Sequence, residues 1–197
     1  MQNNAAEPPL SQLLTDGRSF FEWQNRPVPE DLLRQLYDLV RLGPTSTNCS
    51  PARFLFVTGP KAKARLAPCL WEGNRAKAAA APVTAIIAWE RRFFDRLGFL
   101  FPHRPSVAAP MASDPALAEE TALRNSSLQG GYFILAARSL GLDCGPMSGF
   151  FPRQVDAEFF PEGNWTVNFM VNLGYGNSAN QFPRLPRLDF DTACRIL

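Results

Sequence analysis

The stretch Asp114–Gly141, DPALAEETALRNSSLQGGYFILAARSLG, predicts one unusually long helix. Asp114 is a favoured N-cap, Pro115 suits the first helical position, and about 25 residues follow without another proline before Gly141 can end the helix. At a rise of about 1.5 Å per residue, such a helix would run roughly 38 Å, the width of a small domain. Small and polar residues at its centre predict that another element approaches closely there: Asn125, Ser126, Ser127, Gly130 and Gly131. We therefore expect a buried central helix at an interface between two subunits.

Helices and strands alternate along the rest of the chain. The predicted elements are a short helix with its apolar part at Leu10–Leu14 and its end near Gly17, a helix over Pro29–Leu42, a strand over Phe54–Thr58, a helix over Lys61–Leu70, a strand over Val83–Trp89, a strand over Trp165–Leu173 and a final helix from Asp189 or Phe190. One very long helix with clustered late strands argues against a doubly wound sheet. We predict a single α+β domain over residues 1–197.

Two stretches carry more specific expectations. Residues 165–173 alternate between apolar and other side chains, which predicts one apolar face running from Trp165 to Leu173. Residues 91–112 are the least regular part of the chain, with three prolines and several large aromatics. Irregular stretches of this length in a compact domain are often functional, so a lid over a ligand and a surface loop that packs its own aromatics both stay open.

The composition excludes several classes of function. With 46% hydrophobic residues the chain can bury a large core, and its net charge of +2 offers no footprint for nucleic acid. The four cysteines form no CxxC pair, and a lone histidine, His103, leaves little basis for a metal site or a Ser-His-Asp triad. No secretory pattern is found, and the longest apolar run, Ala78–Trp89, is too short to span a membrane. We expect a cytoplasmic protein with reduced thiols, no metal and no membrane contact.

The remaining polar positions suit a flat, phosphorylated ligand. Arg18-Ser19 and Arg184 are candidate phosphate contacts, because a guanidinium offers two parallel donors. Asn74 and Lys77 place an amide and an ammonium on one helical face. The polar loop Thr45–Pro51 offers hydroxyls and amides, and Gly145–Gly149, interpreted as a turn, offers backbone N–H groups. Each feature alone is ordinary, and only their combination points to a ligand.

In this order, the segments resemble the FMN-dependent nitroreductase superfamily from about Leu10 to the C-terminus. The matching stretches are Gly17–Ser19 (GRS), Leu42–Pro51 (LGPTSTNCSP), Gly73-Asn74, Gly141–Gly149 (GLDCGPMSG), Asn172–Gly176 (NLGYG) and Arg184–Pro186 (RLP). Longer strings resemble the malonic semialdehyde reductase (RutE/HadB) group: Gly43–Arg53, Ala118–Ser127, Gly145–Phe150 and Arg184–Leu188.

The resemblance implies a nitroreductase-like fold, with a central, mostly antiparallel sheet flanked by helices and the long helix at a homodimer interface. It implies FMN as cofactor, NAD(P)H as hydride donor and two sites shared between the two chains. Hydride would pass through flavin N5 in a ping-pong cycle, and the substrate of the narrower group is 3-oxopropanoate, reduced to 3-hydroxypropanoate in pyrimidine degradation. The organic chemistry would belong to the flavin, which the protein positions and tunes.

The resemblance also implies roles for individual residues. Arg18, Ser19 and Arg184 would hold the FMN phosphate. Asn74 would contact the polar edge of the flavin ring, and Lys77 would lie near N1 and the C2 carbonyl. The backbone around Pro146, Ser148 and Gly149 would face N5 and O4 of the flavin. Four residues would reach the flavin of the partner subunit: Pro44, Thr45, Ser46 and Asn48.

Three positions depart from the family pattern. Asn48–Ala52 reads NCSPA where the family has an amide and an indole, Ser148 stands where some relatives have Glu, and Gly176 replaces a common proline. The first and the second bear on the substrate rather than on the cofactor. Two other functions therefore stay open: a broad NAD(P)H nitroreductase or quinone reductase, and a non-catalytic FMN-binding protein.

Overall fold

A four-stranded antiparallel sheet forms the centre of the computed structural model, which describes residues 9–197. The strands are β1 (Ala52–Thr58), β2 (Val83–Glu90), β3 (Asp143–Met147) and β4 (Trp165–Gly174). Their order across the sheet is β1-β2-β4-β3, so β1 and β3 lie at opposite edges. Strand β2 is buried along almost its whole length, because helices cover both faces of the sheet.

Helices pack against both faces of the sheet, and one short helix lies in the C-terminal tail. They are α1 (Leu10–Thr15), α2 (Glu30–Val40), α3 (Gly59–Leu66), α4 (Glu72–Ala80), α5 (Leu97–Leu100), α6 (Ala108–Ser113), α7 (Pro115–Ser139), α8 (Pro152–Phe159) and α9 (Phe190–Ala193). Leu36 of α2 and Phe133 of α7 belong to the core on one face, while Leu66 of α3 and Val155 of α8 belong to the core on the other. The α+β prediction is confirmed. Within residues 9–197, no helix combines the length and apolarity needed to cross a bilayer.

The long helix α7 forms as its sequence predicts. The Asp114 carboxylate accepts hydrogen bonds from the N–H groups of Ala116 (3.0 Å) and Leu117 (3.1 Å), which otherwise lack helical partners. At the other end Gly141 adopts a φ of +76°, the left-handed conformation that terminates helices. A Cβ at Gly130 would lie 2.4 Å from Cζ of the Phe169 ring, so β4 does approach the helix at its centre.

The prediction of one continuous apolar face on β4 is wrong. Ile87 pairs with Phe169 whereas the next residue of β2 pairs with Val167, so Asn168 is an extra residue in a bulge. The bulge places Val167 in the core beside α3 and α8, while Phe169 packs on the side of α7. Asn168 itself turns to α7, where its amide donates to the hydroxyls of Ser126 and Ser127, both at 2.9 Å.

Several boundaries also differ from the sequence prediction. The stretch interpreted as a turn, Gly145–Gly149, begins inside strand β3, because residues 143–147 pair with β4. Helix α3 ends at Leu66 and not at Leu70, since the chain tightens into a 3-10 turn at Ala67–Cys69, which contains Pro68. Helix α8 was not predicted, and the irregular stretch 91–112 contains short helices instead of an extended loop.

Candidate functional site

A cleft of about 660 Å³ lies between the Gly17–Ser19 segment and the C-terminal tail. Four guanidinium groups line it, and none of its lining residues is acidic. We call it the arginine cleft, and its lining residues are Leu14, Gly17, Arg18, Ser19, Phe21, Arg138, residues 181–185 and Arg187. Four positive charges, with no carboxylate among the lining residues, make this cleft suitable for an anion that carries more than one charge.

The arginines also fasten the walls of the arginine cleft to one another. Arg184 of the tail donates to the carbonyls of Thr15 (2.5 Å) and Gly17 (3.0 Å), and Arg18 donates to the carbonyl of Phe182. Arg138, from the last turns of α7, donates to the carbonyl of Arg18 at 3.2 Å. Sequence reasoning missed Arg138, although a basic residue late in a long buried helix is a signal for such a contact.

Strand β3 connects the arginine cleft to the sheet. Ser19 forms a parallel bridge with Cys144, and the Phe20 N–H donates to the Cys144 carbonyl at 2.9 Å. A Cβ at Gly145 would lie 2.2 Å from the Phe20 carbonyl oxygen. Any side chain at position 145 would therefore push the Ser19-Phe20 segment away from the edge of the sheet.

Gly176, which replaces a common proline of the family pattern, has a structural explanation. Its N–H donates to the Asp143 carboxylate at 2.8 Å, a bond that a proline lacks the donor to make. A Cβ at this position would also lie 2.0 Å from the ring of Phe20. The glycine thus lets the end of β4 and the segment behind the arginine cleft pack together.

A second group of predicted residues meets where α4 approaches the end of β3. The Asn74 amide donates to the Gly149 carbonyl at 3.0 Å, and the Trp71 N–H donates to the same oxygen at 3.0 Å. A Cβ at Gly149 would lie 2.4 Å from Nδ2 of Asn74, so this position tolerates no side chain without displacing the amide. We call Asn74 with Gly149 the amide corner.

Three more predicted residues surround the amide corner. Lys77 lies about one turn beyond Asn74 on α4 and is exposed. Pro146 and Ser148, beside Gly149, are exposed as well. The amide corner therefore presents an ammonium, a hydroxyl and backbone groups to solvent, a donor set that suits the electron-rich edge of a heterocycle.

The loop between α2 and β1 is strained. Thr47, Asn48 and Ser50 have φ values of 50°, 51° and 37°, in the left-handed region that residues other than glycine rarely adopt. We call residues 45–50 the strained loop. Clusters of such conformations persist only when their surroundings enforce them, and they concentrate at functional sites.

Side chains of α7 hold the chain at both ends of the strained loop. Asn125 accepts a hydrogen bond from the Ser46 N–H at 2.8 Å, and Gln129 accepts one from the Ala52 N–H at 2.9 Å. Tyr132 donates through its hydroxyl to the Pro44 carbonyl at 3.0 Å. Spacings of four and three residues put all three on one face of α7. Sequence reasoning noted Asn125 only as a small polar residue and missed the other two, although their spacing was a readable signal.

The stretch 91–112 packs against the strained loop. Phe93 and Leu97 are fully buried in a cluster with Cys49 and Ala122, so this stretch does pack its own aromatics. Asn48 donates through its amide to the Leu100 carbonyl at 2.8 Å, which commits that nitrogen within its own chain. Phe99, by contrast, is 86% exposed.

The thiols have no redox arrangement. All four cysteines are free, and Cys49, Cys69 and Cys144 are buried. Burial raises the pKa of the Cys49 thiol to about 11, so it stays protonated at neutral pH although it lies in the strained loop. Across the described range 9–197, no group of three or more His, Cys, Asp and Glu residues comes together as metal ligands would.

The predicted residues therefore fall into two sets. The arginine cleft and the amide corner lie at the two ends of β3, because Cys144 bridges to Ser19 and Met147 precedes Ser148-Gly149. The strained loop precedes β1, at the opposite edge of the sheet. Within one chain, then, the strained loop lies apart from the arginine cleft and the amide corner. The predicted residues that it separates from them are Pro44, Thr45, Ser46 and Asn48.

The chain has an α+β fold, in which α7 flanks an antiparallel sheet and these polar regions border it. This arrangement defines the class of protein. The Nitroreductase family matches residues 18–175, and the chain belongs to this family. It is 55% identical over 187 residues to a protein of Burkholderia lata, covering 95% of each chain, and 50% identical over 188 residues to one of Ralstonia nicotianae, covering 95% of this chain and 96% of the relative. Both relatives carry the provisional name NADH dehydrogenase/NAD(P)H nitroreductase.

Solved structures share the fold at low sequence identity. A provisionally named nitroreductase of Exiguobacterium sibiricum, determined in complex with FMN, superposes with a TM-score of 0.87 at 18% identity, covering 96% of this chain and 98% of that one. An enone reductase of gut-bacterial fatty acid saturation, CLA-ER, superposes with a TM-score of 0.83 at 18% identity over the whole of both chains. These likenesses confirm the nitroreductase-like fold.

Proposed function

We propose that this protein is an FMN-dependent NAD(P)H oxidoreductase that works as a homodimer and reduces 3-oxopropanoate to 3-hydroxypropanoate. The observation that carries the cofactor assignment is the placement of the arginine cleft and the amide corner at opposite ends of β3. Five residue steps from Cys144 to Gly149, at about 3.3 Å each, separate the two by at most roughly 17 Å. That separation suits a ligand with a phosphate at one end and a heterocycle at the other.

In this proposal the chain divides the binding of FMN between its two regions. Arg18, Ser19 and Arg184 hold the phosphate dianion, with Arg138 keeping the Arg18 backbone in place. Asn74 stays hydrogen-bonded to Gly149 through one amide N–H, and its remaining amide groups would contact the ring edge.

The homodimer is supported by apolar surface that one chain leaves uncovered. Leu185, Leu188 and Phe190 of the tail are all exposed, as are Leu123 and Leu128 on α7. Exposed patches of large apolar residues usually mark an interface. We propose that a second copy covers these residues and brings its strained loop, with Pro44, Thr45, Ser46 and Asn48, to the flavin of its partner. This arrangement accounts for the position of the loop at the far edge of the sheet.

Bound FMN would supply hydride transfer between NAD(P)H and the substrate. The Lys77 ammonium, exposed on α4 beside the amide corner, places positive charge where the reduced ring gains electron density. Backbone N–H groups near Ser148 would face the opposite edge of the ring. We propose that water or the flavin ribityl chain supplies the final proton. We also propose that the protein acts in the cytoplasm, where its four free cysteines stay reduced.

The choice of substrate rests on the sequence strings that resemble the malonic semialdehyde reductase group. The names of the relatives favour a second candidate, a broad NAD(P)H nitroreductase. Turnover of 3-oxopropanoate, a nitroaromatic and a quinone under identical conditions separates the two. We expect kcat/KM for 3-oxopropanoate to exceed the other two by at least about tenfold, and equal or reversed values would favour the broad enzyme.

Anaerobic stopped-flow reduction tests the role of Lys77 and the enzyme class together. We expect NADH or NADPH to bleach the flavin absorbance of the wild type, and replacement Lys77→Met to slow bleaching by about tenfold or more, as loss of one electrostatic stabiliser does. Lys61→Met, which removes an exposed lysine from α3, is the matched control and should bleach at the wild-type rate. Unchanged bleaching in Lys77→Met would refute the assigned role. A yellow wild type that neither nucleotide bleaches would identify a non-catalytic FMN-binding protein.

A further inference from the structure

Lys63 of α3 makes three hydrogen bonds with one ammonium group. Its Nζ donates to the carbonyls of Ala78 (2.6 Å) and Ala81 (2.8 Å) and to the hydroxyl of Thr84 (3.0 Å). A protonated lysine has three N–H donors, so each of them is used. The side chain thus joins α3 to the end of α4 and to the start of β2.

The bond to Ala78 replaces a helical hydrogen bond that the sequence forbids. The Ala78 carbonyl would normally accept from the N–H four residues later, but that residue is Pro82, which has none. Lys63 supplies the missing donor, and its positive charge lies at the negative end of the α4 dipole. Lys63 therefore fixes the C-terminal end of the helix that carries Asn74 and Lys77.

The bond to Thr84 continues through the core to the other half of the amide corner. The Thr84 hydroxyl donates to the Asn172 side-chain oxygen at 2.7 Å, and the Asn172 amide contacts the Met147 sulfur at 3.8 Å. All three side chains are buried. Met147 is the last residue of β3 and directly precedes Ser148-Gly149. One cation is thus connected to both elements that form the amide corner.

We infer that Lys63 is a positioning residue for FMN binding: through the Ala78 carbonyl and the Thr84–Asn172–Met147 chain, it holds α4 and the end of β3 in the relation that presents the amide corner to the flavin ring. The inference rests on the proposed function. A neutral amine keeps only two N–H donors for the three oxygens, so loss of the proton must release one of these contacts.

The protonation state of Lys63 changes within a measurable range. Burial lowers its pKa from 10.5 to about 8, with no contribution from a neighbouring charge. The ionisable groups on the elements around it are Lys61 and Arg65 on α3, Glu72, Arg75 and Lys77 on α4, Arg53 on β1, Glu90 on β2, and Arg153, Asp156 and Glu158 on α8; β4 carries none. Arg65 is paired with Glu158 at 2.5 Å.

Two opposite pH dependences follow from this lowered pKa. Between pH 8 and 10.5 the unfolded chain holds more of this proton than the folded chain, so this group makes folding more favourable as pH rises. FMN affinity should instead fall as pH rises through about 8, because the amide corner loses one of its supports. A residue with a general structural role alone would not produce these opposite trends.

The test is the Kd for FMN, measured by quenching of flavin fluorescence at pH 7 and pH 9, alongside the unfolding free energy of the apoprotein. We expect the wild-type Kd to rise about threefold to tenfold from pH 7 to 9, the effect of one lost hydrogen bond. Lys63→Met should bind more weakly at pH 7 and lose that pH dependence. Lys61→Met, with the same charge removed from an exposed position, should follow the wild type at both pH values.

The wild-type profile keeps the inference falsifiable if Lys63→Met fails to fold. A wild-type Kd that is unchanged from pH 7 to 9, or a Lys63→Met profile that parallels the wild type, would overturn the inference while leaving the proposed function intact. A wild type that binds no FMN at pH 7 would overturn both.

Discussion

The arginine cleft and the strained loop are built on different principles. The arginine cleft is formed by segments far apart in the sequence, and arginine side chains bonded to backbone carbonyls hold it together. The strained loop is a local segment in an unfavourable backbone conformation, and buried side chains of α7 hold it in place. The first region is organised around positive charge and the second around stored strain.

The difference shows which property each region is expected to control. Removing the guanidinium of Arg18 should weaken binding of a phosphorylated ligand and cost little stability, because its bond to the Phe182 carbonyl is exposed. Removing an anchor from the strained loop should leave a buried backbone N–H without a partner, and its first effect should be on stability. Substitutions in each region therefore test whether the arginine cleft controls ligand binding and the strained loop controls stability.

The largest expected effect belongs to Arg18→Ala. Loss of a charge-assisted contact to phosphate, about 2–3 kcal/mol, should raise the Kd for FMN roughly 30- to 150-fold while the unfolding free energy of the apoprotein changes little. Fluorescence titration with FMN measures the first quantity and urea denaturation the second. Arg41→Ala is the control, because Arg41 is exposed and, within residues 9–197, its one ion pair is with Asp38 at 3.3 Å on the surface. Equal FMN affinities of Arg18→Ala and the wild type would contradict this account of the arginine cleft.

The next effect is on stability and concerns Gln129→Leu. The Ala52 N–H would lose its acceptor in a buried setting, so we expect the unfolding free energy to fall by about 1–3 kcal/mol. The matched control is Gln154→Leu, the same change at an exposed position of α8, where surface substitutions stay within about 0.5 kcal/mol. If both variants unfolded at the same urea concentration, Gln129 could not be an anchor of the chain where the strained loop leads into β1.

The smallest expected effect has the opposite sign and comes from Thr47→Gly. A left-handed conformation costs a β-branched residue about 1–2 kcal/mol, and glycine avoids that cost but loses about 0.5–1 kcal/mol of conformational entropy. We therefore expect a gain of about 0.5–1 kcal/mol in unfolding free energy. Thr58→Gly, at a φ of −124° where threonine is unstrained, should instead destabilise the protein. A loss of stability in Thr47→Gly would show that the strained loop stores no strain.

Elements whose signals are local could be predicted from the sequence. The N-cap at Asp114 and the glycine at 141 fixed the ends of α7, and Asp189 caps α9 as its position suggested. Arg18, Ser19 and Arg184, which were predicted as one group, do line one cleft, whereas Arg138 and Arg187 of the same cleft were not predicted. The arginine side chains themselves predicted a phosphate site, because the planar guanidinium group matches the geometry of a phosphate.

Features that depend on contacts between distant residues could not be predicted. The bulge at Asn168 follows from hydrogen bonds to Ser126 and Ser127 on α7, which no period in β4 records. Strand β3 was interpreted as a turn because a glycine and a proline at 145 and 146 have low strand propensity, yet pairing with β4 overrides this preference. The role of Lys63 depends on a proline nineteen residues later, a relation visible only once the chain is folded.

Calorimetric titration of the apoprotein with FMN and, separately, with riboflavin tests the central claim most directly, because the two ligands differ only in the phosphate. We predict one FMN bound per chain and an affinity for riboflavin at least about 100-fold weaker, since the arginine cleft would lose its ligand. Equal affinities for the two, or no heat from FMN at all, would contradict the claim that this fold binds a flavin mononucleotide by its phosphate.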